Sequence, residues 1–169
     1  MTEKRIDVGG YHLRAVEQGE GPLVLMIHGF PGLAWSWRHQ MEPLAGAGFR
    51  AVAIDSLGYG GSDRPTDPAA YTADRMQTYL LALLDHYKAD KAVIVGQDFG
   101  AQYAWNLAVR APERVAGLIA TIPYDYDMAG RAMLGSAPRL PAMNAPASIP
   151  TPSSSRVTVT TRQDSSAQR

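Results

Sequence analysis

The chain has 169 residues, which sets the expectation at one domain or slightly more. Sixteen Lys and Arg balance sixteen Asp and Glu, so the formal net charge is zero and nothing in the balance calls for nucleic acid or an anionic membrane as partner. Cysteine is absent, which excludes a disulfide frame and a thiolate metal site. Met1-Thr-Glu-Lys-Arg5 is not followed by the apolar core of a signal peptide, and no apolar run approaches membrane-spanning length, so the expected location is the cytoplasm.

In chain order, Arg5 to Val8 and Tyr11 to Val16 read as a hairpin, because Gly9-Gly10 supplies the positive φ angles of a tight turn. Leu23 to Ile27 is continuously apolar, as expected of a central strand covered on both faces. Ser36 is placed as the N-cap of a helix running to about Ala47 and ended by Gly48. Phe49 to Ile54 is the next strand. Thr72 caps the following helix, with Met76, Leu80, Leu83, Leu84 and Tyr87 on one stripe. Lys91 to Val95 reads as a buried strand and Gln102 to Arg110 as a helix packed through Ala101, Ala104, Trp105 and Ala108. Pro112-Glu-Arg114 breaks the chain before a last strand, Val115 to Ile122. Strand and helix patterns alternate, so the fold class is α/β, a mainly parallel sheet with helices on both faces.

Between the strand ending at Val95 and the next helix the chain must reverse within about two residues. Such a pivot strains the backbone and leaves no room for flanking side chains, and Gly96 and Gly100 stand two before and two after Asp98. The consequence is a carboxylate raised above the sheet at a helix amino end, where the dipole and backbone N–H groups favour its charge. Alone, this pattern reads most simply as a helix cap. It is joined, however, by His28-Gly-Phe-Pro-Gly32 after the strand at 23–27 and by Gly58-Tyr-Gly-Gly-Ser-Asp63 after the strand ending near Asp55.

In this order and spacing the three segments resemble the α/β-hydrolase fold from about residue 5 to about residue 125. Within it they resemble the branch with an aspartate nucleophile, above all the epoxide hydrolases, whose H-G-x-P followed by S-W-R appears as His28-Gly-Phe-Pro31 and Ser36-Trp-Arg38. Gln97 departs from the histidine usual before the nucleophile, at a position expected to point away from the reaction. The resemblance implies that Asp98 attacks an epoxide carbon to form an ester, with the backbone amides of Phe99 and Phe30 as the oxyanion hole and Pro31 after a cis peptide bond. It implies a small apolar substrate walled by Phe30, Pro31, Trp37 and Phe99, and no cofactor. Haloalkane dehalogenases are the alternative enzyme, but they hold the halide with an indole N–H where Phe99 stands. Fluoroacetate dehalogenases use arginines after the nucleophile, and Phe99 and Gln102 carry no charge.

The remaining polar residues have structural readings. His28 ends a strand, His12, His39 and His86 are surface or helix-end residues, Asp55 and Asp63 shape loops, and no group has metal-ligand spacing. All four histidines precede Asp98, so the order nucleophile, acid, histidine is not met within the chain. Residues 1–127 are therefore expected to form a partial core that lacks its lid and last strands, inactive alone. Residues 128–169 are expected to form a disordered, linker-like tail: the stretch from 137 on is rich in Ala, Pro, Ser and Thr and poor in large apolar side chains. A frameshifted or truncated reading of a longer enzyme is the other account of that tail. A non-catalytic remnant that binds a small apolar ligand or a partner is the competing function.

Overall fold

A computed structural model of the chain describes residues 1–122, so the boundary at 127 and the tail over 128–169 lie outside the described residues. Six strands form one sheet in the order β1-β2-β4-β3-β5-β6. β1 (Thr2–Asp7) and β2 (His12–Gln18) make the antiparallel hairpin, with Gly9 and Gly10 both near φ +95 to +98. β2 pairs antiparallel with β4 (Arg50–Ile54), and the remaining pairs, β4 with β3 (Leu23–Ile27), β3 with β5 (Ala92–Gly96) and β5 with β6 (Val115–Ala120), are parallel. Three of the five pairings are thus parallel, in keeping with the mainly parallel sheet read from the alternation.

Side chains alternate across the strands, and each face finds its own helices. Leu23, Leu25, Ile27, Val52, Ile54 and Ile94 face α2 (Ala73–His86) and α3 (Phe99–Arg110), meeting Met76, Tyr79, Leu80, Leu83, Leu84, Ala104 and Leu107. Val24, Met26, Ala51 and Ala53 turn to the opposite face, where α1 (Arg38–Gly46) supplies Met41. Tyr79 joins the α2 stripe and Leu107 carries the α3 contact, whereas Trp105 and Ala108 are only partly buried.

The start of α1 differs from expectation. A 3-10 turn over Ala34–Trp37 precedes it, so Ser36 lies inside that turn, its Oγ accepting the Leu33 N–H at 3.4 Å, and does not cap the helix. Ser36 thus makes the back-bond of an N3 residue to Leu33, which caps the 3-10 turn, and makes no cap for α1, whose N-cap position is Trp37. At α2 the Thr72 hydroxyl does accept the Arg75 N–H, and another 3-10 turn, Pro68–Tyr71, leads into it.

Register sets the ends of the parallel strands side by side: Ile27 of β3 lies opposite Ile54 of β4 and Gly96 of β5. The segments after these three strands therefore emerge together at the carboxyl edge, which in open α/β sheets is where ligands bind.

Candidate active site

Asp98 stands between β5 and α3 with φ +52 and ψ −122. Residues with a Cβ rarely occupy that region, and its strain is of the kind that persists at functional sites. The neighbouring glycines are required by contact. A Cβ at Gly96 would come within 2.3 Å of the Gly100 carbonyl oxygen, and one at Gly100 within 2.2 Å of the Ile27 carbonyl oxygen. Gly29 has the same constraint from the other side, since a Cβ there would lie 2.3 Å from the Asp98 Cβ. This third glycine was not singled out in the sequence; its place between His28 and Phe30 is visible there, but the approach of Asp98 is tertiary.

The helix-cap reading fails on the side chain. Asp98 makes no capping hydrogen bond to α3; its Oδ1 instead accepts the Phe30 N–H at 3.0 Å, across 68 residues of sequence. That amide first, and the Phe99 amide second, hold the Asp98 carboxyl below the usual aspartate range. Asp98 is an exposed residue, and among the described residues no side chain is bonded to its carboxylate. The Phe30–Pro31 peptide is cis. An ionised, exposed carboxylate can attack an electrophilic carbon without a helper base.

An open cavity of about 520 Å³ lies beside these residues, lined by Phe30, Leu57, Gly58, Tyr59, Tyr71, Met76, Phe99 and Tyr103. Of the four residues expected to wall a substrate, Phe30 and Phe99 line it and are large exposed aromatics. Pro31 is exposed but outside that lining. Trp37 is turned away: it packs on the opposite face of the sheet against the cluster of Val24, Met26, Ala34 and Met41. The reason is the 3-10 turn, which rotates Trp37 inward at the start of α1. Tyr59, Tyr71 and Tyr103 were not foreseen. Tyr103 has a readable signal, being four residues beyond Phe99 on one helix face; Tyr71 sits in a 3-10 turn with no periodic pattern to reveal it.

The polar residues around the site are structural. Asp55, 1 % exposed, takes the Ala34 N–H on Oδ1 at 2.7 Å and the Gly61 N–H and Arg14 guanidinium on Oδ2, tying the 3-10 turn at Ala34 and the loop at Gly61 to strand β2. Asp63 accepts from Arg5 and from the His12 backbone N–H, fixing the same loop to the hairpin. Gln97 is exposed. Among the described residues no cluster of His, Asp or Glu could hold a metal ion, and no helix is long and apolar enough to cross a membrane.

Strand order, glycine-flanked pivot and paired amides define a hydrolase-type scaffold, and comparison with known proteins agrees. The family model of the alpha/beta hydrolase fold matches residues 22–150, and the chain belongs to that family. Among curated proteins, epoxide hydrolase A of Mycobacterium tuberculosis is 47% identical over 121 residues, covering 70% of this chain and 38% of the relative. Epoxide hydrolase 2 of Siraitia grosvenorii is 41% identical over 114 residues, covering 68% of this chain and 36% of the relative. Among solved structures, epoxide hydrolase A from Mycobacterium thermoresistibile superposes with a TM-score of 0.68 at 45% identity, covering 70% of this chain and 38% of that one. The chain thus spans under two fifths of the length of these relatives.

Proposed function

We propose that the site is the nucleophile half of an epoxide-opening hydrolase acting on a small apolar epoxide in the cytoplasm, without cofactor. The observation that carries this is the Asp98 carboxylate: strained at the pivot, exposed, and bonded through Oδ1 to the Phe30 amide with no side chain on it among the described residues. In the first step Oδ2 attacks a ring carbon in line, the ring C–O bond breaks, and the departing oxygen takes a proton from water. The product is a hydroxyalkyl ester of Asp98 in which Oδ1 becomes the carbonyl oxygen. In the second step water adds to that carbonyl, and negative charge develops on Oδ1, the oxygen to which the Phe30 amide donates, with the Phe99 amide as the second donor proposed for it. Removing one such donor typically costs about 2.7 to 4 kcal/mol of barrier. Collapse of the adduct expels the diol and restores the carboxylate.

Why an epoxide? This chain's relatives are epoxide hydrolases, and the cavity wall fits that substrate: Phe99 offers no ring N–H for a halide, and the lining holds no cation for a carboxylate substrate. The second step also needs a base to activate water. The four histidines, 12, 28, 39 and 86, all precede Asp98, and His28 has both ring nitrogens bonded to backbone. We therefore assign to this polypeptide the first step and a stalled ester.

The test is incubation with styrene oxide followed by peptide mass spectrometry. A persistent adduct of one epoxide mass on the peptide containing Asp98, lost in Asp98→Asn, supports the reading. No adduct on a folded chain favours a non-catalytic remnant, and steady Asp98-dependent diol production overturns the stalled second step.

A further inference from the structure

His28 is 2 % exposed, and both its ring nitrogens are engaged. Nε2 accepts the Ser56 N–H at 3.0 Å, which leaves the proton on Nδ1, and Nδ1 lies 2.8 Å from the Gly29 carbonyl oxygen. The same carbonyl oxygen accepts the Gly32 N–H at 2.7 Å. The edge of the Tyr59 ring closes over the imidazole, centroids 5.0 Å apart and planes at 68°.

The Gly29 carbonyl and the Phe30 N–H belong to one peptide unit. That unit is trans, since the cis bond is the next one, Phe30–Pro31. In a planar trans peptide C=O and N–H point in opposite directions, so holding one aims the other. The N–H so aimed is the one 3.0 Å from Asp98 Oδ1.

We propose that His28 is a positioning residue, whose Nδ1–H, with the Gly32 N–H, grips the Gly29 carbonyl and thereby points the Phe30 amide at the Asp98 carboxylate. Ser56, two residues past the end of β4, sets the tautomer, so the aim of the amide depends on the segment that follows the neighbouring strand. The inference deepens the proposed function and relies on it for its chemical consequence, but the geometry can be read without turnover.

Two substitutions separate the two nitrogens of the ring. His28→Asn keeps a donor near the Nδ1 position and loses the Ser56 contact. His28→Gln keeps an acceptor near Nε2 and loses the grip on Gly29. With the 169-residue chain labelled for NMR, the Phe30 amide proton is expected to move upfield in His28→Gln and to stay near its parent position in His28→Asn. The Asp98 carboxyl is expected to titrate at higher pH in His28→Gln than in His28→Asn. A purely structural histidine would move both variants alike. Equal perturbation in both, or none in either, overturns the proposal. Should His28→Gln fail to fold, the ¹⁵N shifts of His28 in the parent decide: a protonated Nδ1 with bare Nε2 supports the grip, and the opposite tautomer overturns it. Loss of epoxide labelling with these signals intact would count against the proposed function alone.

Discussion

At Asp98 the backbone sits at φ +52, where a Cβ is strained and glycine is not. Replacing Asp98 by Gly or by Ala removes the carboxylate in both cases, so the two variants differ only in what the backbone tolerates. Asp98→Gly is expected to be more stable than Asp98→Ala by about 1 kcal/mol, despite glycine's larger unfolded-state entropy. Urea midpoints check this, and the reverse order would mean that the pivot is relaxed. The same residue sets an acid limit. The Phe30 amide, then the Phe99 amide, lower the folded-state pKa of Asp98, so its bonding favours the fold above the ordinary aspartate pKa and fades as pH falls through the depressed folded value. Labelling of Asp98 by an epoxide is expected to stay level on acidification through the usual aspartate range and to fail only below it. A decline already at the ordinary aspartate value, measured by adduct yield against pH, would show that neither amide holds the charge.

Glycines at element junctions divide into those that hold the site and those that do not. Gly100 lets α3 lie against the end of β3, and Gly100→Ala puts a methyl against the Ile27 and His28 carbonyl oxygens, both backbone and unable to move aside alone. A loss of about 2 kcal/mol is expected, of the size of an overpacked core. Gly46, at the end of α1, has open space where a Cβ would go and no positive φ, so Gly46→Ala is expected to add about 0.5 to 1 kcal/mol. Thermal melts of the pair test whether contact or conformation decides a glycine's role here. These junctions also show where the chain can be read without coordinates. β3 and α2 declare themselves by an unbroken apolar run and a helical stripe, and the 95–101 pivot by glycines two residues either side of Asp98. Ser36 misleads because its local chemistry fits a cap while the tertiary structure winds a 3-10 turn around it. The same turn puts Trp37 against Met41 and away from the cavity, a fact settled by packing on the far face of the sheet. Likewise Ser56, the Nε2 partner of His28, lies in a different loop and leaves no trace in the neighbours of His28 along the chain.

The two edges of the whole sheet are built unlike each other. β1 carries Glu3, Lys4, Arg5 and Asp7 along an exposed edge, and such charges discourage pairing with another chain. β6 reads Val-Ala-Gly-Leu-Ile-Ala with no charge, and among the described residues it pairs only with β5. Ile119 is 54% exposed there, and Ile122 just beyond the strand is 38% exposed. The sequence marks 115–122 as the last strand, and the strand stops at Ala120. A parallel sheet ordinarily has its strands covered, so an apolar edge that no described residue covers favours self-association. The 169-residue chain is therefore expected to associate as its concentration rises, and Ile119→Lys, which adds a charge to the edge without touching the buried core, is expected to shift it toward monomer. Sedimentation velocity over a concentration series decides: if parent and variant are monomeric throughout, the edge is protected; if both associate equally, the contact lies elsewhere. Association through β6 is expected to leave Asp98 labelling unchanged, because Asp98 bonds to the segment after β3 and not to β6, although β6 packs on both β5 and α3.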